Sequence, residues 1–229
     1  MKTEIYSTAE EVAAQAAKYI EEKIRAGILE KGQFSLAISG GRTPWEMMKI
    51  LVKAKLRWEK VNIFQVDERE APDGHPDRNL TQLFQSLEGS GILTRVNIFP
   101  MHTVADDLSA ETEEYSKIIH QVTGEGILDL VHLGLGSDGH TASLIPGDPV
   151  CEVTDRDIAL TEQPYQGRKR MTMTYPLINR AKEIVWIVTG KEKAEMLKRL
   201  QNQDPGIPAG RINPANSLIL ADEAASQSN

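Results

Sequence analysis

The stretch FSLAISGGRTPWE, residues 34–46, passes from an apolar run directly into glycines and then into helix-forming sequence. FSLAI, at 34–38, predicts a short buried strand that ends in a tight turn. Thr43 is a favourable helix N-cap, Pro44 suits the first helical position, and Glu46 lies three residues beyond the cap. The stretch therefore predicts a strand, a glycine turn and a helix in immediate succession.

The same alternation of apolar strands and amphipathic helices continues along the chain. Further strands are predicted at 61–66, 96–99, 128–135, 171–175 and 184–188. Helices are predicted at 7–26, 44–56, 76–87 and 104–122. This alternation predicts a doubly wound α/β fold, with a mostly parallel sheet and helices on both faces. No repeat or linker-like segment divides the sequence, so we expect one domain over 1–229.

The composition argues against several classes of function. The chain has 229 residues and a formal net charge of −7, which disfavours binding to nucleic acid. Its single cysteine, Cys151, excludes an intramolecular disulfide and a multi-cysteine zinc site. No other metal-ligand spacing is present, so we expect no metal and no other cofactor. The sequence has neither a secretory signal pattern nor an apolar run of about 20 residues, so we expect a cytoplasmic protein without a membrane partner.

In sheets of this kind, ligands bind beyond the carboxyl ends of the strands. The loops to consider follow residues 38, 66, 135 and 188. The first of them combines two glycines with the start of a helix: Ser39, Gly40, Gly41, Arg42 and Thr43. Backbone N–H groups and the helix dipole can bind a phosphate in such a loop. A tight turn without a ligand is the alternative, and the positive charge of Arg42 favours the phosphate.

Two further strand-end loops are rich in charge. Asp67 directly follows apolar strand residues, where an unpaired carboxylate is costly, so we expect a partner such as Arg69 or a loop amide. Thr189 and Glu192 have the spacing of a capping box, which places Lys191 in the first turn of a helix. A cation opposes the helix dipole there, and a bound anion would remove that conflict. A solvated lysine is the simpler alternative.

The loop LGLGSDGHTASLIPG, residues 133–147, contains the pattern G-x-G-x-x-G. A dinucleotide site is disfavoured because Pro146 cuts any helix within about two turns and because Asp138 would crowd a pyrophosphate. We expect the glycines to turn the strand sharply and to present Asp138 and His140 at the start of a short helix. His140 can act as a general base near neutral pH, and Asp138 can fix its tautomer and favour its imidazolium. The remaining histidines are assigned surface or core roles: His75, His102, His120 and His132.

Five segments, in this order, resemble the 6-phosphogluconolactonase family of the pentose phosphate pathway. They are SGGRTP at 39–44, DER at 67–69, LGLGSDGHTASLIPG at 133–147, RMTMTYPLIN at 170–179 and VTGKEKAEMLK at 188–198. The resemblance spans nearly the whole chain. It implies a cofactor-free hydrolase that opens 6-phospho-D-glucono-1,5-lactone to 6-phospho-D-gluconate.

The resemblance also implies a role for each candidate site residue. His140 is implied to activate the attacking water, Asp138 to orient the loop or the imidazole, and Arg69 or loop N–H groups to stabilise the oxyanion. The substrate and its phosphate are implied to be bound by the loop 39–43 together with Asp67, Arg170 and Lys191. The partner is then a small phosphosugar lactone, and the sequence leaves open whether the protein is a monomer or a homodimer.

Glucosamine-6-phosphate deaminase/isomerase has the same fold and is the main alternative function. That enzyme has a glutamate where this chain has Ile145, and typically a tyrosine where this chain has Arg69. Loss of a carboxylate that shuttles protons argues against deamination. A sugar-phosphate-binding protein without activity is the third hypothesis. Such regulators usually carry a DNA-binding segment, for which this chain has neither spare length nor a basic stretch.

Overall fold

A computed structural model describes residues 1–227, so the predicted domain over 1–229 includes two residues that lie outside the described residues. The described chain forms the strands β1 (Lys2–Tyr6), β2 (Phe34–Ile38), β3 (Val61–Gln65), β4 (Asp67–Arg69), β5 (Asn97–Phe99), β6 (Leu130–Gly134), β7 (Ile158–Leu160), β8 (Arg170–Met173), β9 (Glu183–Val188) and β10 (Ser217–Asp222). Its helices are α1 (Ala9–Lys31), α2 (Arg42–Leu51), α3 (Asn79–Leu87), α4 (Leu108–Thr123), α5 (Tyr175–Asn179), α6 (Ala194–Gln201) and α7 (Glu223–Ser226). None of these helices is long and apolar enough to cross a bilayer.

Seven of the strands form one sheet, in which all neighbouring pairs are parallel. Their order is β1-β10-β9-β6-β2-β3-β5. From β2 the chain adds β3 and β5 on one side, and it then returns to place β6 on the other side of β2. The direction of strand addition therefore reverses between β2 and β6. The carboxyl ends of these two strands border the crevice in which doubly wound folds bind ligands.

Helices cover both faces of the parallel sheet. One core contains Ile20 of α1 and Met47 of α2 together with Leu36 of β2. The other core contains Tyr115 of α4 and the next residue of β2, Ala37. Successive residues of β2 thus point into opposite cores, as expected for a strand that is buried on both faces. The predicted doubly wound α/β fold is confirmed.

The remaining strands form a small antiparallel sheet in the order β4-β8-β7. β4 is the DER segment, which the sequence predicts as a loop. Val66 connects the two sheets, because its N–H donates to the carbonyl of Ile38 at 3.0 Å and its carbonyl accepts from the N–H of Met173 at 2.8 Å. The charged residues after β3 therefore continue as a strand beside the crevice instead of entering solvent.

Several boundaries differ from the predictions. β2 has the predicted bounds, 34–38, but α2 begins at Arg42 with Gly41 at the N-cap position. The predicted capping role of Thr43 is therefore wrong. Residues 135–148 form turns, where a short helix beginning near Asp138 is predicted. Positive φ angles at Gly139 and Ala142, 86° and 51°, prevent a continuous helix there. The edge strand β1 and its neighbour β10 are absent from the predicted strands.

His132 of β6 lies where β2 and β6 separate. Its side chain is fully buried, and Nδ1 accepts a hydrogen bond from the backbone N–H of Ser39 at 3.3 Å. Only two residue pairs join β2 to β6 in register within residues 1–227. In a continued strand pair, the N–H of Ser39 would donate to a backbone carbonyl of the neighbouring strand. Here the imidazole of His132 is the acceptor instead. Burial lowers the pKa of His132 to about 3, so the ring is neutral at physiological pH.

This buried histidine predicts a loss of stability in mild acid. The folded-state pKa of about 3 lies below the ordinary value of 6.5, so the unfolded chain binds the proton first as the pH falls below 6.5. We expect His132 to account for about 2 kcal/mol of the free energy of unfolding that is lost between pH 7.5 and pH 5. Urea unfolding over this pH range measures the loss.

The matched variants are His132→Asn and His102→Asn. Asparagine at 132 retains an oxygen acceptor for the Ser39 N–H and does not titrate, whereas His102 is an exposed histidine. We expect the free energy of unfolding to depend less steeply on pH in His132→Asn and to keep the wild-type slope in His102→Asn. Equal slopes in all three proteins would contradict the assignment to His132.

Candidate active site

A cavity of about 560 Å³ opens beyond the carboxyl ends of β2 and β6. The loops that follow β2, β6 and β9 line it, together with residues of β4 and β8. Nine of the residues predicted for the site are part of this lining: Ser39, Gly40, Gly41, Arg42, Thr43, Asp67, Arg69, His140 and Arg170. Asp138 contacts His140 without lining the cavity, and Lys191 is exposed outside it.

The wall formed by residues 39–43 is the start of α2. Gly41 has a φ of 142°, a conformation that residues with a side chain rarely adopt, and this lets the chain turn from β2 into α2. The first N–H groups of a helix have no intrahelical acceptor, and the dipole adds partial positive charge there. Thr43 Oγ1 lies 2.8 Å from Thr189 Oγ1, which ties this wall to the loop after β9. The wall is therefore suited to an anion.

The cation that reaches the cavity from the loop after β9 is Lys193, not the predicted Lys191. Residues 191–193 form a 3₁₀ turn, and α6 begins only at Ala194. With about three residues per turn, side chains two positions apart in such a turn point in different directions. Among residues 1–227, no carboxylate oxygen lies within 4.0 Å of the side-chain nitrogens of Arg42 or Lys193. Both positive charges remain available to a ligand.

Asp67 is buried in the cavity wall, and its carboxylate accepts a hydrogen bond from the side-chain amide of Asn79 at 3.4 Å but does not pair with Arg69, the other predicted partner. Its Oδ2 accepts a hydrogen bond from the Ser143 hydroxyl at 2.6 Å and lies 3.9 Å from Nη1 of Arg170. The side-chain amide of Asn79 donates to the backbone carbonyl of Asp67 at 3.0 Å. Arg69 is not among these partners. It lies two positions from Asp67 on the same face of β4, but its guanidinium donates to the backbone carbonyl of Asp77 instead.

Arg69 and Arg170 face each other across the β4–β8 pair. Arg170 is only 4% exposed, and Nη2 donates to the carbonyl of Tyr165 and to the side chain of Gln166, both at 3.3 Å. Arg69 Nη1 donates to the carbonyl of Asp77 at 2.7 Å. The Nε atoms of both arginines are buried without a hydrogen-bond partner in residues 1–227. Burial, with a contribution from the charge of Arg69, lowers the pKa of Arg170. Two adjacent guanidiniums with unused donors favour an anionic oxygen nearby.

Glu68, between these charged residues, is fully buried and was not singled out by the sequence pattern. Its carboxylate accepts hydrogen bonds from the backbone N–H groups of Asn79 at 2.8 Å and Leu80 at 2.9 Å. A carboxylate at a helix N-terminus is stabilised by unsatisfied donors and by the dipole. Glu68 therefore fixes the start of α3, and with it Asn79, beside the cavity. The abrupt DERE cluster after a buried strand is the signal that could have identified it.

His140 and Asp138 form a hydrogen-bonded pair at the edge of the cavity. Asp138 Oδ1 lies 2.6 Å from His140 Nδ1 and accepts a bond from the His140 backbone N–H at 3.1 Å. A proton on Nδ1 is thus shared with the carboxylate, which leaves Nε2 free to accept another proton. The hydrogen bond from His140 holds the pKa of Asp138 well below its usual range, so this carboxyl is ionised at neutral pH.

Close backbone approach makes this pair possible. The N–H of Gly136 donates to the carbonyl of His140 at 2.8 Å, so the loop folds back on itself. A Cβ atom on Gly136 would lie 2.0 Å from His140 Nδ1 and 2.6 Å from Asp138 Oδ1. Glycine is therefore required at 136 by the space that the imidazole and the carboxylate occupy. Among the described residues, no group of His, Cys, Asp and Glu side chains is arranged to hold a metal ion.

The protein-family model described as glucosamine-6-phosphate isomerases/6-phosphogluconolactonase matches residues 7–220. A 6-phosphogluconolactonase of Synechocystis sp. is 36% identical over 217 residues, which cover 91% of this chain and 90% of that relative. The chain belongs to this family. The resemblance inferred from the five sequence segments is therefore confirmed.

Solved structures from both branches of the glucosamine-6-phosphate isomerase/6-phosphogluconolactonase family share the fold. A 6-phosphogluconolactonase from Shewanella baltica has a TM-score of 0.85 at 19% identity, with 97% of each chain covered. A monomeric glucosamine-6-phosphate deaminase has a TM-score of 0.80 at 21% identity, with 99% of each chain covered. At these identities the similarity concerns the fold, so the choice between the branches depends on the residues of the site.

The geometry of the His140 loop predicts that two nearby glycine substitutions change the free energy of unfolding by very different amounts. Gly136→Ala places a methyl group against the imidazole, so we expect it to lower the free energy of unfolding by about 1–3 kcal/mol. Gly134→Ala, whose Cβ meets no heavy atom of residues 1–227 within 4 Å, should change it by less than about 0.5 kcal/mol. Urea unfolding measures both, and ¹⁵N NMR of the His140 ring detects displacement from Asp138. Equal effects of the two substitutions would contradict the described packing.

Proposed function

We propose that this protein hydrolyses 6-phospho-D-glucono-1,5-lactone to 6-phospho-D-gluconate, the lactonase step of the oxidative pentose phosphate pathway. The observation that carries the proposal is the His140–Asp138 pair at the same cavity as the positively charged start of α2. A general base and an anion clamp are the two elements that hydrolysis of a phosphorylated lactone needs. The 36% identical relative, named a 6-phosphogluconolactonase, supports the same reaction.

In the proposed mechanism, His140 Nε2 removes a proton from a water molecule as the water oxygen adds to the lactone carbonyl carbon. The resulting imidazolium is stabilised by Asp138, whose carboxylate is hydrogen-bonded to Nδ1. The tetrahedral intermediate collapses by breaking the bond between the carbonyl carbon and the ring oxygen. His140 returns its proton to that oxygen, and the product is the open-chain hydroxy acid in its carboxylate form after a proton is released.

The negative charge that develops on the carbonyl oxygen needs donors that are already in place. Arg69 supplies them in this proposal, because its side chain lines the cavity and its guanidinium has a donor, Nε, without a hydrogen-bond partner among residues 1–227. Arg170 is held by its contacts to Tyr165 and Gln166, so its charge acts from a fixed position. An anionic intermediate would relieve the repulsion between these two neighbouring guanidiniums.

The 6-phosphate of the substrate is assigned to the opposite wall of the cavity. The N–H groups at the start of α2, with Arg42 and Lys193, present several donors and two positive charges that have no carboxylate partner among residues 1–227. Binding the phosphate there would place the other end of the sugar toward the loop of His140. Phosphate binding then contributes to the reaction by orienting the lactone carbonyl.

Deamination of glucosamine 6-phosphate is the second candidate, because a solved deaminase shares the fold. Where that enzyme is expected to have a glutamate, this chain has Ile145, which is buried and does not line the cavity. An isomerising deaminase needs carboxylates to move protons between carbon and oxygen atoms. The hydrocarbon side chain at this position therefore favours hydrolysis of a lactone.

We expect His140→Gln to lower kcat by about 10²- to 10⁴-fold with a much smaller change in KM, since the substitution removes a general base. The assay follows proton release after freshly generated lactone is added at neutral pH, with an enzyme-free blank because the lactone also opens spontaneously. His102→Gln, an exposed histidine outside the cavity, is the control. An unchanged kcat in His140→Gln would contradict the proposed base, and ammonia release from glucosamine 6-phosphate would support the deaminase instead.

The two lysines of the 3₁₀ turn offer a second test. Lys193→Ala should raise KM about tenfold and change kcat less, because the lost charge contacts the phosphate in the ground state as well as in the transition state. Lys191→Ala should leave both constants within about twofold, since surface charges outside a site have small effects. The reverse order of effects would show that the lysine predicted from sequence, and not Lys193, binds the phosphate.

A further inference from the structure

Tyr165 contacts both members of the proposed catalytic pair, although nothing in the sequence pattern singles it out. Its hydroxyl donates to Asp138 Oδ2 at 2.9 Å and lies 3.3 Å from His140 Nδ1. Its ring meets the imidazole of His140 edge to face, with 5.2 Å between the ring centroids. Asp138 thus accepts hydrogen bonds on both carboxylate oxygens, one from His140 and one from Tyr165.

Two further contacts hold Tyr165 in this position. The guanidinium of Arg170 lies 5.0 Å from the centroid of the Tyr165 ring, a cation–π contact, and Arg170 also bonds to the Tyr165 carbonyl. Tyr165 is at one end of a tight turn, in which its backbone pairs with that of Arg168 at 2.8 Å. The central residues, Gln166 and Gly167, have φ angles of 53° and 80°. Glutamine seldom adopts a positive φ, and its side chain is held here by Arg170.

The same turn is anchored on its other side. Arg168 Nη2 pairs with the carboxylate of Asp77 at 3.1 Å, and the N–H of Glu70 donates to the carbonyl of Lys169 at 2.9 Å. These bonds join the segment before β8 to the loop between β4 and α3. Tyr165 is therefore part of a braced turn at the edge of the cavity, and its hydroxyl is held at a fixed distance from Asp138.

We infer that Tyr165 is a positioning residue for the His140–Asp138 pair: its hydroxyl fixes the second oxygen of Asp138 and reduces the charge that this carboxylate presents to the imidazole. The inference rests on the proposed function, in which His140 is the base. A hydroxyl that donates to a carboxylate draws negative charge toward itself and so weakens the stabilisation of a neighbouring imidazolium. Tyr165 would thereby keep His140 unprotonated, and able to act as a base, at a lower pH.

Other charged groups lie around the same cavity, and the test has to leave them in place. Arg170 lies against the Tyr165 ring, and the wall of the same cavity holds the following charged side chains: Arg42, Asp67, Arg69, Glu192, Lys193 and Asp222. Tyr165→Phe keeps the ring, with its contacts to Arg170 and His140, and removes only the hydroxyl. A change in the titration of His140 in this variant is therefore due to the lost hydrogen bond.

The experiment is a ¹⁵N NMR titration of the His140 ring without substrate, combined with kcat and KM over a range of pH. In Tyr165→Phe we expect the pKa of His140 to rise by roughly 0.5–1 unit and the acidic limb of kcat/KM to move by the same amount. The pH-independent kcat should fall about three- to tenfold, with KM changed by less than about twofold, because the pair is less well oriented. An unchanged pKa in the folded variant would overturn the inference.

Tyr6→Phe is the matched control, because it also removes a tyrosine hydroxyl that donates to a carboxylate, that of Glu4 at 2.7 Å, outside this cavity. It should leave the titration of His140 unchanged, and an equal shift there would overturn the inference.

Replacing Tyr165 with 3-fluorotyrosine supplies a test that keeps every contact. Its hydroxyl is a stronger donor, so the pKa of His140 should fall, and a rise would contradict the inference. A protein without lactonase activity would disprove the proposed function, while the NMR titration would still decide the role of Tyr165.

Discussion

Beyond Ala37 and Val131, β2 and β6 no longer pair, and this separation of two neighbouring parallel strands creates the space for the cavity. Chain segments leave a doubly wound sheet in opposite directions at such a point. The loop after β2 and the loop after β6 therefore border one crevice, although 93 residues separate Ser39 from His132. The buried imidazole of His132 supplies the acceptor that the missing strand neighbour would have provided. An anion-binding helix start and a histidine–carboxylate pair are brought together by this topology.

The charges around the cavity are kept in place by buried hydrogen bonds. Glu68 fixes the start of α3, Asn79 bonds to the backbone of Asp67, and the Asp67 carboxylate is held by Ser143. These partners offset the desolvation of buried carboxylates, which would otherwise be prohibitive. The positive charges are less fully satisfied: the Nε atoms of both facing arginines have no partner among residues 1–227. This difference suits a site that binds an anionic substrate and stabilises an anionic intermediate.

Local patterns in the sequence predict most of the parallel sheet, because a buried strand such as 34–38 is marked by an apolar run and glycine. The same patterns identify the loops of Arg42 and His140, since both directly follow such strands. The sequence places Lys191 at the site, whereas Lys193 is the lysine that lines the cavity, because the first turn of an α-helix and a 3₁₀ turn direct side chains differently and residue spacing alone does not separate them. Tyr165 is missed because its contact with Asp138 spans 27 residues and depends on the turn between β7 and β8, which has no periodic pattern to mark it.

The most direct test of this account is a crystal structure of the protein with 6-phosphogluconate bound. The central claim is that one crevice between β2 and β6 binds the phosphate and performs the hydrolysis. It predicts the phosphate at the start of α2, within hydrogen-bonding distance of Lys193, and the carboxylate between His140 Nε2 and Arg69. A phosphate bound elsewhere, or a carboxylate remote from His140, would contradict the claim.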